Sequence, residues 1–129
     1  MTIHNLGSKT TAVRLHANAV VTATGAGNVA YIDLLGYEGD ATFTLDHAAA
    51  GSGVTLTAKI QHSDTTTSGD FVDATGGAFA AAAANTAGFS SITLNTDALK
   101  RNARVLFTVT GGTGAGAASV IFRGSQKVL

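Results

Sequence analysis

Apolar residues occupy every second position along several short stretches of the chain. In the clearest stretch, GVTLTAKIQHS from Gly53, the apolar residues Val54, Leu56, Ala58 and Ile60 alternate with polar ones. This period of two is typical of a strand that packs one face on a core and turns the other to solvent or to a neighbour. The pattern therefore predicts half-buried antiparallel sheet.

Similar short stretches recur along the chain, and glycine-rich or polar turns separate nearly all of them. The predicted strands are 12–16, 19–24, 29–35, 41–46, 54–63, 71–73, 88–95, 104–110 and 117–123. Strands at this spacing predict an all-β fold, an antiparallel β-sandwich of jelly-roll type with eight or nine short strands. The pattern does not set the order of the strands within the sheets.

Helix is predicted in at most one or two short turns. The run 78–89, AFAAAAANTAGF, has the helix propensity of alanine but no apolar stripe, so a short helix, a loop and an edge strand all stay open. The segment 96–101, TDALKR, predicts one helical turn with Asn95 or Thr96 as its N-cap. Lys100 and Arg101 suit its C-terminal end, and Leu99 is expected to enter the core.

Composition bounds the domain organisation and several function classes. The 129 residues, 45% of them hydrophobic, predict one β-sandwich domain over 12–129, preceded by an N-terminal arm over 1–11 that lacks a periodic pattern. The chain has no cysteine, which excludes disulfides and thiolate chemistry within it. Eight basic and eight acidic residues balance, and no long apolar run occurs. We therefore expect no nucleic-acid partner and no membrane partner.

The low charge also bears on association. Only 12% of the residues are charged, and a surface of small neutral side chains protects a free monomer poorly against association. The candidate partner contacts are the arm residues and the basic residues of the 96–101 corner, namely Thr2, Ile3, His4, Lys100 and Arg101. The alternative for the basic cluster is that its cations complete the turn and stay solvated.

One loop resembles a cation site in its residue types. Asp64, Asp70 and Asp73 lie within ten residues of each other, and clustered oxygen ligands bind hard cations such as calcium. Their spacing does not match an EF-hand loop, and Asp, Ser, Thr and Gly are also the usual residues of turns. The sequence favours a solvated hairpin loop over a cation site.

No catalytic constellation emerges from the remaining residues. The histidines lack the short paired spacings of zinc sites, and His62 is expected as a hydrogen-bonded histidine at the margin of the core. A serine-nucleophile elbow and a complete phosphate loop are both missing from the sequence. We therefore predict no catalytic residues, no cofactor and no metal.

Tyr31 and Tyr37, without any tryptophan, make a poor platform for stacking sugars, which lowers the expectation of a carbohydrate-binding module.

Two segments, KIQHSDTTTSGDFVDATGGAF from Lys59 and SITLNTDALKRNARVLFTVTGGTGAGAASV from Ser91, resemble a group of small virion proteins of tailed bacteriophages and prophages. The similarity covers about the C-terminal 75 residues. It departs at Asn102, where the group usually has an aromatic residue. The matching residues are Lys59, Ile60, Gln61, Ser63, Asp64, Phe71, Asp73, Phe79, Leu99, Lys100, Arg101, Arg104 and Val105.

The resemblance implies a non-enzymatic, capsid-associated structural role, foremost that of a head decoration or cement protein. It implies the major capsid protein as partner, a homo-oligomer with a trimer favoured, and a place on the capsid surface of the virion after synthesis in the host cytoplasm. A tail or head-fibre component is the alternative within the virion. A carbohydrate-binding β-sandwich module is the alternative from another class, and an enzyme ranks behind both.

Overall fold

The computed structural model describes residues 10–51, 53–81, 86–112 and 116–127, and its strands form two antiparallel sheets. The strands are β1 (Thr10–Val20), β2 (Gly25–Ala26), β3 (Ile32–Asp33), β4 (Tyr37–His47), β5 (Thr55–Ser63), β6 (Val72–Ala78), β7 (Gly88–Asn95), β8 (Asn102–Thr110) and β9 (Ala117–Gln126). Within the described ranges the helical elements are two 3-10 turns, Ser68–Asp70 and Thr96–Ala98, and none of the helices there is long or apolar enough to cross a bilayer.

The strand order is that of a jelly roll. Sheet I has the order β1-β9-β4-β7, and sheet II has the order β2-β8-β5-β6, with β3 also paired to β8. Because β2 and β3 both pair with β8, they act as two pieces of one interrupted strand. The first strand then pairs with the last, the second with the last but one, and so on inward, as in a long hairpin rolled into two sheets. The predicted antiparallel jelly-roll sandwich is confirmed.

The core lies between the two sheets and is built by the alternation seen in the sequence. Sheet I contributes a central aromatic pair, Phe43 and Phe122, whose ring centroids lie 5.3 Å apart at an interplanar angle of 60°. Sheet II covers this pair with fully buried aliphatic and aromatic side chains, among them Leu56, Ile60 and Phe107. Each such side chain contributes about 1.5–3 kcal/mol through removal from water.

Strand β1 differs from the prediction of two separate strands at 12–16 and 19–24. It runs unbroken from Thr10 to Val20, so Thr10 and Thr11, predicted to belong to the arm, pair with β9. Register shifts on either side of His16 take the place of a turn. They allow Leu15 and His16, neighbours in sequence, both to be buried, which a regular strand does not permit.

Glycine-rich stretches account for the other differences. Gly25, which lies between the predicted strands 19–24 and 29–35, begins β2, and only Ile32–Asp33 of the predicted strand 29–35 is paired. Strand β6 extends through Gly76 and Gly77 because a register shift against β5 accommodates them. Within the run 78–89 no helix occurs over 78–81 or 86–89, and residues 82–85 lie outside the described residues.

Candidate interaction surfaces

The corner between β7 and β8 holds the two predicted basic contacts. The 3-10 turn Thr96–Ala98 is capped by Asn95, whose Oδ1 accepts the backbone N–H of Asp97 at 2.9 Å. The Thr96 hydroxyl instead donates to the carbonyl of Gly39 at 2.8 Å, which fastens the turn to β4. The turn is shorter than the predicted 96–101, so Lys100 and Arg101 follow it, and Leu99 packs partly buried against the core as expected.

Arg101 is engaged within the chain. Its guanidinium pairs with Asp33 at the end of β3, with Nη2 3.0 Å from Oδ2 and Nε 3.3 Å from each carboxylate oxygen. The hydrogen bond from Arg101 lowers the pKa of Asp33, and the backbone N–H of Leu35 lowers it further. About half of each side chain is exposed, so water screens the pair and its contribution to stability is modest.

Lys100 differs from its neighbour in having a solvated ammonium group. Its backbone N–H donates to Nδ1 of His62 at 3.1 Å, while its side chain is exposed and forms no ion pair with the described acidic residues. Of the two basic residues predicted as partner contacts, Lys100 is thus the one whose charge is available. Thr2, Ile3 and His4 lie outside the described residues.

The three carboxylates of the 64–73 loop have separate partners. Asp64 Oδ1 accepts the backbone N–H of Arg101, Asp70 accepts the hydroxyl of Thr65 at 2.6 Å, and Asp73 is bound by side chains of β5. No group of three or more His, Cys, Asp or Glu side chains suited to a metal occurs among the described residues. The loop is held by hydrogen bonds within the protein.

A connected polar network lies on the outer face of sheet II. Arg104 donates to Oε1 of Gln61 from Nε at 3.1 Å and from Nη2 at 2.9 Å. The amide nitrogen of Gln61 donates onward to Asp73 at 2.9 Å, and Lys59 pairs with the same carboxylate at 2.8 Å. The Gln61 bond, followed by the Lys59 bond, lowers the pKa of Asp73.

The loop after β5 closes over this network. The Arg104 guanidinium carbon lies 4.4 Å from the centroid of the Phe71 ring, and Nη1 donates to the Ser68 hydroxyl at 2.8 Å. Asn102 is 3% exposed and donates to the carbonyl of Thr65 at 3.1 Å. These contacts bury polar side chains on a sheet face that the alternation predicts to meet solvent or a neighbour.

The described histidines make hydrogen bonds within the chain. Nδ1 of His62 accepts the Lys100 backbone N–H, which agrees with the predicted hydrogen-bonded histidine at the core margin. Burial lowers its pKa, the charge of Lys100 lowers it further, and Asp64 opposes both. His16 is buried against Phe107, and its Nδ1 accepts the backbone N–H of Asn28 at 3.0 Å. Nδ1 of His47 lies 3.2 Å from the carbonyl of Ala48.

The outer face of sheet I carries a shallow groove that the sequence did not single out. Strands β4, β7 and β9 line it with hydroxyl side chains, the half-buried Ile121 and the charged groups Asp46 and Arg123. Phe89 stands at one side with 71% of its surface exposed, directly across from Asp46 in the β4–β7 register. The alternation of β7 places Phe89 on this face, but only the sheet order brings it beside residues of β4 and β9.

These features define a jelly-roll protein whose polar loops are held to its surface by hydrogen bonds. No protein-family model matches the chain, and no curated protein matches it. Solved structures do. One is a protein of the Bacillus endospore appendages, described as a novel family of disulfide-linked pili, with 17% identity, a TM-score of 0.44 and coverage of 92% of this chain and 90% of that chain.

Two others come from infectious bursal disease virus. The VP2 subviral particle matches at 11% identity and a TM-score of 0.44, covering 90% of this chain and 32% of that chain. The T13 viral particle matches at 10% identity and a TM-score of 0.42, covering 92% of this chain and 36% of that chain. The chain thus spans about a third of the length of these viral chains. At such low identities and TM-scores the matches carry no functional assignment.

Proposed function

We propose that this chain is a non-enzymatic virion structural protein of a tailed phage or prophage, a decoration or cement protein that binds the major capsid protein as a homo-oligomer and stabilises the shell from its surface. The jelly roll is common in capsid proteins but also occurs in lectins and cupins, so the fold alone does not select this function. The proposal rests on the sequence resemblance together with one structural observation.

The observation is that residues of the resemblance, far apart in sequence, meet in one network. Lys59, Gln61, Phe71, Asp73 and Arg104 come from three strands and a loop, yet each contacts at least one of the others. A chance match has no reason to select residues that depend on each other in space. The network therefore supports a shared architecture with the phage group, in which the motif fastens the loop over sheet II.

A capsid-binding assay tests the proposal. Purified protein is added to expanded shells of the parent particle that lack it, and bound protein is measured by co-sedimentation. We expect saturable binding and a higher melting temperature of the shell. Deleting residues 1–9 should weaken shell binding if the arm contacts the capsid. Because the deletion spares β1, we expect the melting temperature of the free protein to stay nearly unchanged. A large loss of protein stability with intact shell binding would reverse the assignment of the arm.

The groove on sheet I favours a second candidate function, a carbohydrate-binding module. An exposed aromatic ring beside a carboxylate, an arginine and hydroxyl groups supplies both a stacking surface and hydrogen-bond partners for a sugar. Retention on a glycan array that is lost in Phe89→Ala, together with failure to bind shells, would select this function.

Detection of the protein on tails or head fibres by electron microscopy of the virion would select the fibre alternative.

A further inference from the structure

The two sheets of the sandwich end in four edges, formed by β1 and β7 in sheet I and by the β2/β3 pair and β6 in sheet II. The edge of a sheet presents unpaired N–H and C=O groups to any strand that approaches. Proteins that stay apart guard such edges with bulges, charges, proline or very short strands. The four edges of this protein differ in how many features disfavour pairing with a strand of another molecule.

Three of the edges carry features that disfavour pairing with another strand. Strand β1 has two register shifts and the exposed Arg14, and β2 and β3 are only two residues long each. Strand β6 is interrupted by a register shift against β5 and carries the exposed Asp73. Each device bends the strand away from a partner, places a charge where a partner strand must lie, or leaves too few residues for pairing.

Strand β7 has none of these devices. It pairs with β4 over eight consecutive residues, from Gly88 opposite His47 to Asn95 opposite Asp40, without a register shift. Its sequence, GFSSITLN, contains neither a charged residue nor a proline. Among the described residues, β4 is the only strand that pairs with it. Its other edge therefore offers a straight, neutral template for strand addition.

The side chains of β7 also leave apolar surface uncovered. Phe89 is 71% exposed on the outer face, and Ile92, on the side that faces the core, is only partly buried although it packs against the core cluster. Both lie in the edge strand, where a strand added alongside would remove apolar surface from water as well as pair the main chain.

We infer that two copies of this chain associate by antiparallel pairing of their β7 edges. The protein has a formal net charge of zero and β7 has no charge of its own, so neither long-range nor local repulsion opposes a second copy. Two identical edges meet around a two-fold axis and form a self-complementary contact that closes at two subunits. This arrangement differs from the trimer expected from the resemblance.

The alternation of side chains restricts the register of this pairing. Directly opposite residues in an antiparallel pair point to the same face, so the axis must pass beside a residue and not between two. Axes at Ser91 and at Ile92 overlap the residues of β7 equally, and the axis at Ile92 is the one that brings the partly buried Ile92 opposite the partner's Ile92. Ser91 then lies opposite the partner's Thr93, and Phe89 lies opposite the partner's Asn95. The two copies of sheet I would join into one continuous sheet.

Sedimentation equilibrium of the purified chain over a range of concentrations tests the inference. We expect a species of twice the 12.8 kDa chain mass. In Ser91→Lys/Thr93→Lys, lysines face each other across the axis, and the dissociation constant should rise about ten-fold or more. The variant Ser91→Glu/Thr93→Glu should weaken the dimer in the same way, and mixing it with the lysine variant should restore the dimer.

The matched control is Ala12→Lys/Asn18→Lys, which adds two lysines at exposed positions of the opposite edge of the same sheet and should dimerise like wild type. Three results would each overturn the inference. The wild-type chain could stay monomeric at millimolar concentration, or the dimer could be unaffected by the charges placed in β7. The third result is that the lysine and glutamate variants fail to associate when they are mixed. Loss of the dimer on deleting residues 1–9 would also overturn the inference, because the arm and not the β7 edge would then form the dimer contact. The inference deepens the proposed association, but no capsid enters this experiment, so it can fail while shell binding succeeds.

Discussion

Arg104 and Gln61 lie directly opposite each other in the β8–β5 pair, and the guanidinium donates two hydrogen bonds to the single amide oxygen of Gln61. With its oxygen occupied, Gln61 presents its amide nitrogen to Asp73 on β6. The orientation of the amide therefore links three strands through one side chain. Because Gln61 and Arg104 are both buried, removing either leaves polar groups of the other without their partners at a buried position.

We expect Arg104→Ala to lower the free energy of unfolding by about 2–4 kcal/mol, because the buried Gln61 oxygen loses both donors and Phe71 loses its cation. Arg104→Lys keeps the charge but has one side-chain nitrogen, so it cannot donate from two nitrogens to the Gln61 oxygen and should recover only part of this loss. Denaturant unfolding measures both. Arg123→Ala, a change at an exposed arginine of sheet I, serves as control and should stay within about 0.5 kcal/mol of wild type.

The two basic corner residues should behave differently. Arg101→Ala breaks the pair with Asp33 and should lower the melting temperature, whereas Lys100→Ala should leave it nearly unchanged. The folded-state pKa of Asp33 is lowered, so the pair stabilises the fold above the unfolded pKa of about 3.9 and loses this contribution as pH falls through the folded value. The difference between wild type and Arg101→Ala should thus vanish in strong acid. Equal melting temperatures for the two variants at pH 7 would contradict this account.

His62 should make stability depend on pH between neutral and mildly acidic conditions. Its folded pKa is lowered, so below the unfolded pKa of about 6.5 the unfolded chain binds the proton more readily, and stability falls until the folded pKa is passed. In His62→Asn, the amide oxygen can still accept the Lys100 N–H but does not titrate. The loss of unfolding free energy between pH 7.5 and pH 5.5 should be smaller in this variant. An equal loss in both proteins would exclude His62 as the cause.

The junction between β8 and the following turn requires glycine. Gly111 has φ of +81°, and a Cβ there would collide with the carbonyl oxygen of Gly53. Gly111→Ala should therefore cost about 2 kcal/mol or more in unfolding free energy. Gly36→Ala is the matched control, because a Cβ at Gly36 meets no atom within 4 Å. It should be neutral or slightly stabilising, since alanine restricts the unfolded chain.

The alternation of apolar residues predicted the sandwich and much of its strands because burial on one face is a local property of the sequence. Strand β7 occupies the predicted 88–95, and β5 begins one residue after the predicted start. The pattern failed where a strand is irregular. Register shifts around His16 join two predicted strands into β1, because a bulge preserves pairing while it breaks the alternation.

The surfaces were less predictable because they depend on segments that meet only in the fold. Gln61 occupies a polar position of β5, on the face expected to meet solvent or a neighbour, and the alternation does not show that the loop carrying Phe71 leaves it only 7% exposed. The ion pair of Arg101 with Asp33 joins residues 68 positions apart, and no local pattern connects them. The open edge of β7 follows from the sheet order, which the strand pattern does not contain.

The association of this protein should resist salt. Among the described residues, the only ion pairs are Lys59 with Asp73 and Arg101 with Asp33. Both pairs are formed within the chain, and β7 is uncharged. Pairing of main chain and apolar side chains offers little for ions to screen, whereas exposed ion pairs weaken as the Debye length shrinks. The dimer dissociation constant and shell binding should therefore change little between about 0.1 M and about 0.5 M NaCl. A steep loss of dimer over this range in sedimentation equilibrium would instead place charged residues in the contact and exclude the neutral edge of β7 as its main source.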